Sequence, residues 1–347
     1  MARKGTVCKT ITLPDGTRKW VYGKTKKEVE EKIRELNHLS YLGIDVSNTQ
    51  TFGEYVKQWF ETYKVGKVAK TTLRNYRNII NCRLLPTLSG YKMRDITPAH
   101  IQSAFNTWQH LSENSLVATR VLLRMIFSSA VEEGIMPRTP VTKNVLTGGV
   151  EKDERTALTP EQTEKLLSNL KRRKDYLFCV VALNTGMRIG ELTGLRWNDV
   201  DLVNWTVTVS HALGYDECGQ FEHRDTKSKR GHRIIPINKD CVDALQELRK
   251  GSQSIYVFTS KDGMRPMTNG TSYTLRKHLK DALGDDSISF HTLRHTYCTR
   301  LFDEGKLRID DISYLMGHAD VTITLKIYAH YQEEVRFKEV AEKIQAS

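Results

Sequence analysis

Four short stretches carry side chains whose types and spacing can do chemistry. "NTGMRIGELTGLRWNDVD" puts Ile189, Leu192 and Leu195 on one helical stripe and leaves Arg188 and Glu191 as neighbours on another face. "EHRDTKSKRGHRIIPI" is a polar turn, with Lys227 and Lys229, feeding a short apolar strand. "SFHTLRHTYCTRLF" sets His291 and Arg294 at helical i, i+3 spacing, so both can point to one place. "LMGHADVTITLKIYAHY" adds His318 and then Tyr328. Alone, each has an ordinary structural reading: an amphipathic helix with a surface arginine, a charged hairpin tip, a packed ring with a wet hydroxyl. Together, arginines, a lysine, histidines and a tyrosine without an obvious carboxylate pair suit phosphoryl transfer. Fixed guanidinium and imidazolium groups can stabilise the charge that develops on the transferring group's oxygens where another enzyme would use Mg²⁺. The tyrosine then supplies the nucleophile. Its unperturbed pKa is near 10, so it needs cations nearby to favour the phenolate, and the product is a covalent phosphotyrosine.

Two rival chemistries fit less well. "HTLRH" has the i, i+4 histidines of a zinc helix, but Thr292 stands where a zinc hydrolase places its glutamate base, so no metal is expected. Gly23-Lys24-Thr25 resembles the end of a phosphate-binding loop, yet Arg18 occupies the position of its first glycine. No nucleotide or other cofactor is expected either, because a phosphotyrosine link conserves the phosphodiester energy needed for religation.

Three segments must position these residues. In residues 1–45, two alternating runs flank Pro14-Asp15-Gly16 and read as a β-hairpin. Thr25 to Glu28 reads as a capping box opening a helix with Val29, Ile33 and Leu36 on its apolar stripe. The hairpin is strongly basic: Arg3, Lys4, Lys9, Arg18, Lys19, Lys24, Lys26 and Lys27 stand against the single acid Asp15, an imbalance that favours phosphate contact over a merely solvated face. "VSNTQT" at 46–51 reads as a linker. Residues 52–145 read as nearly all helical, with starts at Thr97-Pro98 and at the serine and threonine clusters near 71 and 112. Val121, Leu122, Met125, Ile126 and Ala130 are expected to share a buried face. In "KVAKTTLRNYRN", Lys67, Lys70, Thr71, Arg74 and Arg77 form either a charge-solvated helix surface or a DNA-backbone contact. The third segment starts its first helix at Thr159-Pro160-Glu161-Gln162 and mixes helices with the β runs "WTVTVSHAL" and "HRIIPI". The expected class is therefore α+β and multidomain: a small hairpin-plus-helix domain, an all-α domain, and a mainly α domain with a small β-sheet.

Composition narrows the partners. The 347-residue chain has room for two or three cores. Its formal net charge of +12 favours a polyanion such as nucleic acid. A membrane is the weaker choice, because no apolar run approaches a spanning length and "MARKGTVCKT" lacks a signal-peptide apolar region. The six cysteines never approach a Cys-x-x-Cys spacing and read as reduced thiols of a cytoplasmic protein.

As an ordered set these motifs resemble the tyrosine recombinases, the integrase family of phages and conjugative transposons. Arg188 in "TGMRIGEL", His291 and Arg294 in "HTLRHT", His318 in "LMGHAD" and Tyr328 in "TLKIYAHY" match the family's motifs in order and approximate spacing. The resemblance implies an arm-type DNA-binding domain at 1–48, a helical core-binding (SAM-like) domain at 52–145 and a catalytic domain at 155–347. It implies that Arg188, Arg294, His291 and His318 hold the scissile phosphate of double-stranded DNA and that Tyr328 attacks it. It gives the protonation of the leaving 5′ oxygen to a lysine of the β-turn. Lys227 matches the family position when counted back from "RIIP"; Lys229 lies in the same turn, and Lys227 is preferred. His295 and His330 read as orienting or structural groups, and Tyr331 as a packed or surface ring. Arm and core DNA sites, a homotetramer on paired sites, an excisionase or DNA-bending helper and a bacterial cytoplasmic location are further implications. A type IB topoisomerase would use the same constellation without a separate basic N-terminal module, and a silent DNA-binding relative would be expected to have lost one of these residues. In the tail, Phe337, Val340, Ala341 and Ile344 form an apolar stripe for this chain's own catalytic domain or for a neighbouring protomer.

Overall fold

The computed structural model describes residues 7–12, 16, 18–46, 48–151, 157–215, 221–225, 231–318, 320–327 and 329. The chain forms two compact units, Met1–Asp153 and Glu154–Ser347.

In the first unit, β1 (Val7–Thr12) and β2 (Arg18–Gly23) pair antiparallel, with Thr10 opposite Trp20. Alternation buries Val21 and turns Arg18, Trp20 and Tyr22 outward. Gly16 takes a left-handed φ of 81° in the expected turn, whose Pro14 and Asp15 lie outside the described residues. α1 (Lys26–Tyr41) starts at Thr25, whose hydroxyl accepts from the Glu28 N–H at 3.2 Å. The Glu28 carboxylate reaches one residue beyond the expected box and accepts from the Lys24 N–H at 2.7 Å. Val29 is buried on this helix, with Ile33 and Leu36 half-buried.

The strap after α1 is anchored. Ile44 and Val46 are buried, the Asp45 N–H donates to the Gly134 carbonyl at 2.9 Å, and the Val46 carbonyl accepts from Lys19 Nζ at 2.7 Å and from Arg94 at 2.8 Å. α2 (Phe52–Tyr63) follows behind a capping box of Thr51 and Glu54. α3 (Lys70–Ile79) continues through a π-helical turn at Ile80–Leu84 into α4 (Leu85–Leu88). The irregular turn runs up to Pro86, which has no N–H to give the preceding turn. α5 (Pro98–Thr107) begins at Thr97, as expected, and α6 (Glu113–Glu132) completes the bundle.

Two sequence expectations shift here. α3 starts after Ala69 without a side-chain cap, and Ser112 likewise makes no capping bond to α6. The buried face of α6 runs through Leu116, Leu122, Leu123, Ile126, Phe127 and Ala130, with Met125 half-buried, and leaves Val121 exposed on the neighbouring face. Phe52, Trp59, Phe105 and Phe127 fill this core, and the Trp59 indole N–H donates to Ser129 at 2.9 Å.

The second unit runs α7 (Pro160–Asn169), α8 (Arg173–Thr185), α9 (Ile189–Gly194), β3 (Val200–Asp201), β4 (Thr206–Val209), β5 (His211–Tyr215), β6 (Phe221–Asp225), β7 (Arg233–Pro236), α10 (Lys239–Arg249), α11 (Asn269–Leu283), α12 (Phe290–Asp303) and α13 (Ile309–Met316). Thr159 and Gln162 form the expected capping box of α7. α8 is buried from Leu177 to Thr185 and forms the centre of the core, around which Val207, Ile235, Leu245, Leu279 and Leu293 pack. The sheet is antiparallel in the order β3, β4, β7, beside a separate β5–β6 hairpin. α9 lies flush on that hairpin: a Cβ at Gly190 would meet the Leu213 carbonyl at 2.8 Å, and one at Gly194 the Leu213 nitrogen at 2.9 Å. The class is α+β and mainly helical, as expected. Among the described residues, no helix is long and apolar enough to cross a membrane.

Candidate active site

The site is built on two helix ends that meet. α8 stops at Gly186, whose φ of 59° is left-handed and whose α-carbon lies against the Tyr297 ring, leaving no room for a side chain. The chain turns there and restarts as α9, so Arg188 sits at the helix N-cap. Glu191 accepts from the Arg188 backbone N–H at 2.9 Å and from its guanidinium at 3.0 Å. Opposite, α13 stops at Gly317, again left-handed at φ 60°. The last carbonyls of a helix have no partners within it and carry its negative dipole end, so they attract cations.

Three guanidinium groups use those carbonyls. Arg233 Nε donates to Leu315 at 2.8 Å, Arg294 donates to Met316, and Arg188 donates to Gly317 at 2.8 Å. Arg294 also donates to the Gly186 carbonyl at 2.5 Å, which ties the two helix ends together. His318 follows directly and is buried, with Nδ1 hydrogen-bonded to the Thr324 hydroxyl at 2.7 Å.

Charge is unbalanced here. Glu191 faces Arg188 and Arg233. Burial pushes its carboxyl up, but the hydrogen bond and charge of Arg233 and the Arg188 backbone outweigh this and hold it below the usual carboxylate range. Arg294 is pulled down to about 9 by burial and then by the Arg188 charge, with Arg233 adding to this and Glu191 opposing it. His318 is pulled down to about 4 by burial, then by Arg294, Arg188, His295 and Arg233, so its imidazole is neutral at physiological pH. An anion placed among these groups would relieve both strains. The arrangement can therefore hold a phosphoryl group and stabilise added negative charge on it.

Of the expected site residues, Arg188, Arg294 and His318 come together. His291 is exposed in the first turn of α12, its ring centroid 6.3 Å from that of His295. Lys227 and Tyr328 lie outside the described residues, as do Lys229, His330, Tyr331 and the tail stripe. The sequence reading overlooked Arg233, which is fully buried and binds both Glu191 oxygens, at 3.2 and 2.8 Å. The signal was present in "RIIP": strand alternation puts Arg233 on the inward face with Ile235, and an arginine on an inward face needs a partner.

The expected DNA-contacting residues divide. Lys70, Arg74 and Arg77 recur at i, i+4, i+7 on α3 with Thr71 beside them, the Arg77 guanidinium lying 5.6 Å over the Phe60 ring. Lys67 is exposed, donates to the Thr62 carbonyl at 2.8 Å and lies 5.7 Å over Tyr63. Arg18 and Lys24 are exposed, and Arg18 shares the outward sheet face with Trp20, 59% exposed, and Tyr22, 51% exposed, two aromatics that the basic count passed over. Lys19 points the other way, to the Val46 carbonyl, and burial lowers its pKa, with the Arg94 charge adding to the shift.

Comparison with known proteins places this geometry. Residues 156–334 match the Phage integrase family, and residues 51–109 match the Phage integrase, N-terminal SAM-like domain. The chain is 31% identical, over 90% of its length and 88% of the relative's, to a Tyrosine recombinase XerC-like protein of Caldanaerobacter subterraneus subsp. tengcongensis. It is 27% identical, over 87% of its length and 80% of the relative's, to the transposase from transposon Tn916 of Enterococcus faecalis. Its fold is similar, with a TM-score of 0.68 and 25% identity over 83% of this chain and 97% of the other, to the Tn1549 transposon integrase solved in complex with transposon right end DNA.

Proposed function

From the premise that this chain belongs to the phage integrase family and is a tyrosine recombinase, a DNA strand-exchange enzyme of transposon or phage type, we propose how it works. Arg188, Arg294, His291 and His318 hold the scissile phosphate of a DNA strand. The Tyr328 phenolate, its proton released to water and its charge favoured by the nearby cations, attacks phosphorus, forming a 3′-phosphotyrosine, while the bond to the 5′ oxygen breaks and Lys227 gives that oxygen its proton. The 5′ hydroxyl of a partner strand then attacks the phosphotyrosine, restores the phosphodiester and returns the proton, without metal or nucleotide. The observation that supports this reading most is the convergence of Arg188, Arg233 and Arg294 on three consecutive carbonyls, with Glu191 bonded to two of them, Arg188 and Arg233, which leaves positive charge to be met by a phosphate.

The same reading divides the chain into an arm-binding module at 1–48, a core-binding module at 52–145 and a catalytic module at 155–347. Arg18 and Lys24 contact arm DNA; Lys67, Lys70, Thr71, Arg74 and Arg77 contact the core site. Exchange between two duplexes needs four cleavages, which a homotetramer supplies, and an excisionase or DNA-bending protein sets direction. The protein acts in the bacterial cytoplasm, where its DNA is.

The test is a nicked suicide substrate, from which the released fragment diffuses away. Wild-type protein is expected to form a denaturation-resistant protein–DNA adduct that survives chelator treatment of the reaction. Tyr328→Phe should abolish it and Tyr331→Phe should keep it; the reverse pattern, or a metal requirement, overturns the reading.

A further inference from the structure

Resting on this reading of the phosphate site, we propose that Arg233 is a positioning residue: it occupies the Glu191 carboxylate so that the guanidinium of Arg188 stays available to the phosphate. The geometry divides the labour between the two arginines. Arg233 is wholly buried and binds both Glu191 oxygens, while the Arg188 side chain is 40% exposed and shares only Oε1. The inner arginine therefore meets the buried charge, and the outer one faces solvent, from which a ligand arrives.

Arg233 is held for this task. Its Nε is fixed on the Leu315 carbonyl at 2.8 Å, and Gly317 leaves it room, since a Cβ there would lie 2.7 Å from Nη1. Remove Arg233, and Glu191 remains buried with Arg188 as the partner in hydrogen-bonding contact and Arg294 from α12 as a more distant charge. A buried carboxylate takes the strongest donor within reach, and Arg188 can offer it a two-pronged grip. That grip competes directly with the phosphate. With one of its two guanidinium partners gone, less opposes burial, so the Glu191 pKa rises from its wild-type position and acid releases Arg188 by protonating the carboxyl.

The test is the rate of suicide-substrate adduct formation, measured relative to wild type at each pH from mildly acidic to mildly alkaline. Arg233→Met should slow it about 100-fold, the scale of losing one charge-stabilising donor, and the deficit should shrink as pH falls. Adding Glu191→Gln to Arg233→Met removes the competing charge, and should restore most of the rate and erase the pH dependence. A merely structural role predicts a loss that pH does not change. If Arg233→Met does not fold, the same comparison is made on Arg233→Lys, with folding checked by melting: an intermediate loss relieved by Glu191→Gln supports the proposal. A pH-independent loss that Glu191→Gln leaves in place, in folded protein, overturns it. Wild-type protein that forms no adduct would instead strike the phosphate-site reading itself.

Discussion

Arg188 and Arg294 donate to adjacent carbonyls, those of Gly317 and Met316, at the end of α13. Two guanidinium groups that repel one another are thus placed side by side by a helix terminus. Its carbonyls and dipole offset part of the repulsion without supplying a full negative charge. His318 is the next residue, so the end of this helix fixes a neutral imidazole beside two cations. On the proposed function, an incoming phosphate would meet donors already aimed, with little reorganisation left for the moment of reaction.

Gly317 makes that helix end possible. Its φ of 60° suits glycine, and a Cβ would press on the Arg233 guanidinium at 2.7 Å. Gly317→Ala should therefore lower the unfolding free energy by about 1–3 kcal/mol, the scale of enforced left-handed strain, and should slow adduct formation more than the lost stability explains. Denaturant melts beside cleavage assays give both numbers, and an alanine variant equal to wild type in both would remove Gly317 from this account.

His318 predicts a pH signature. Burial, then the charges of Arg294 and Arg188, lower its pKa from 6.5 to about 4. Between those values the unfolded chain binds a proton that the folded chain refuses, so this group's contribution to stability is present above pH 6.5 and is lost as pH falls toward 4. His318→Gln should flatten the fall in denaturant-unfolding free energy across this window. Identical pH slopes in the two proteins would mean that His318 is not held neutral.

Local features of this fold were legible in the sequence, and distant ones were not. Thr97 and Thr159 announce their helices because a cap and its partner lie within one turn. The β1–β2 hairpin follows from alternation. Arg188 and Glu191 show themselves as neighbours because three residues along a helix bring them together. Arg233 finds Glu191 across 42 residues and Leu315 across 82, separations that no spacing rule encodes. Lys19 shows the same limit: residue type suggests a phosphate ligand, and only tertiary folding brings the Val46 carbonyl within 2.7 Å of it.

The choice of general acid can be tested chemically. Replacing the leaving 5′ oxygen with sulfur removes the need for a proton donor, because a thiolate departs unaided. Lys227→Ala should cleave an ordinary strand poorly, by about 100-fold or more, and should recover on the sulfur-substituted strand. Recovery by Lys229→Ala, with none by Lys227→Ala, would move the role two residues along the turn.

The N-terminal module separates two kinds of basic residue. Arg18 and Lys24 are exposed, whereas Lys19 donates to the Val46 carbonyl beside Arg94. If Arg18 and Lys24 each neutralise a phosphate of arm DNA, their alanine variants should each lower the slope of log affinity against log salt by about 0.9. Lys19→Ala should leave that slope alone and loosen the strap of Ile44 and Val46, seen as earlier proteolysis between α1 and α2. Truncation should for the same reason stop before that strap: removing residues 1–42 retains Ile44 and Val46, which are buried in the full chain, so core-site cleavage should survive while arm-site binding is lost. A Lys19→Ala salt slope that falls as far as that of Lys24→Ala would return Lys19 to the DNA interface.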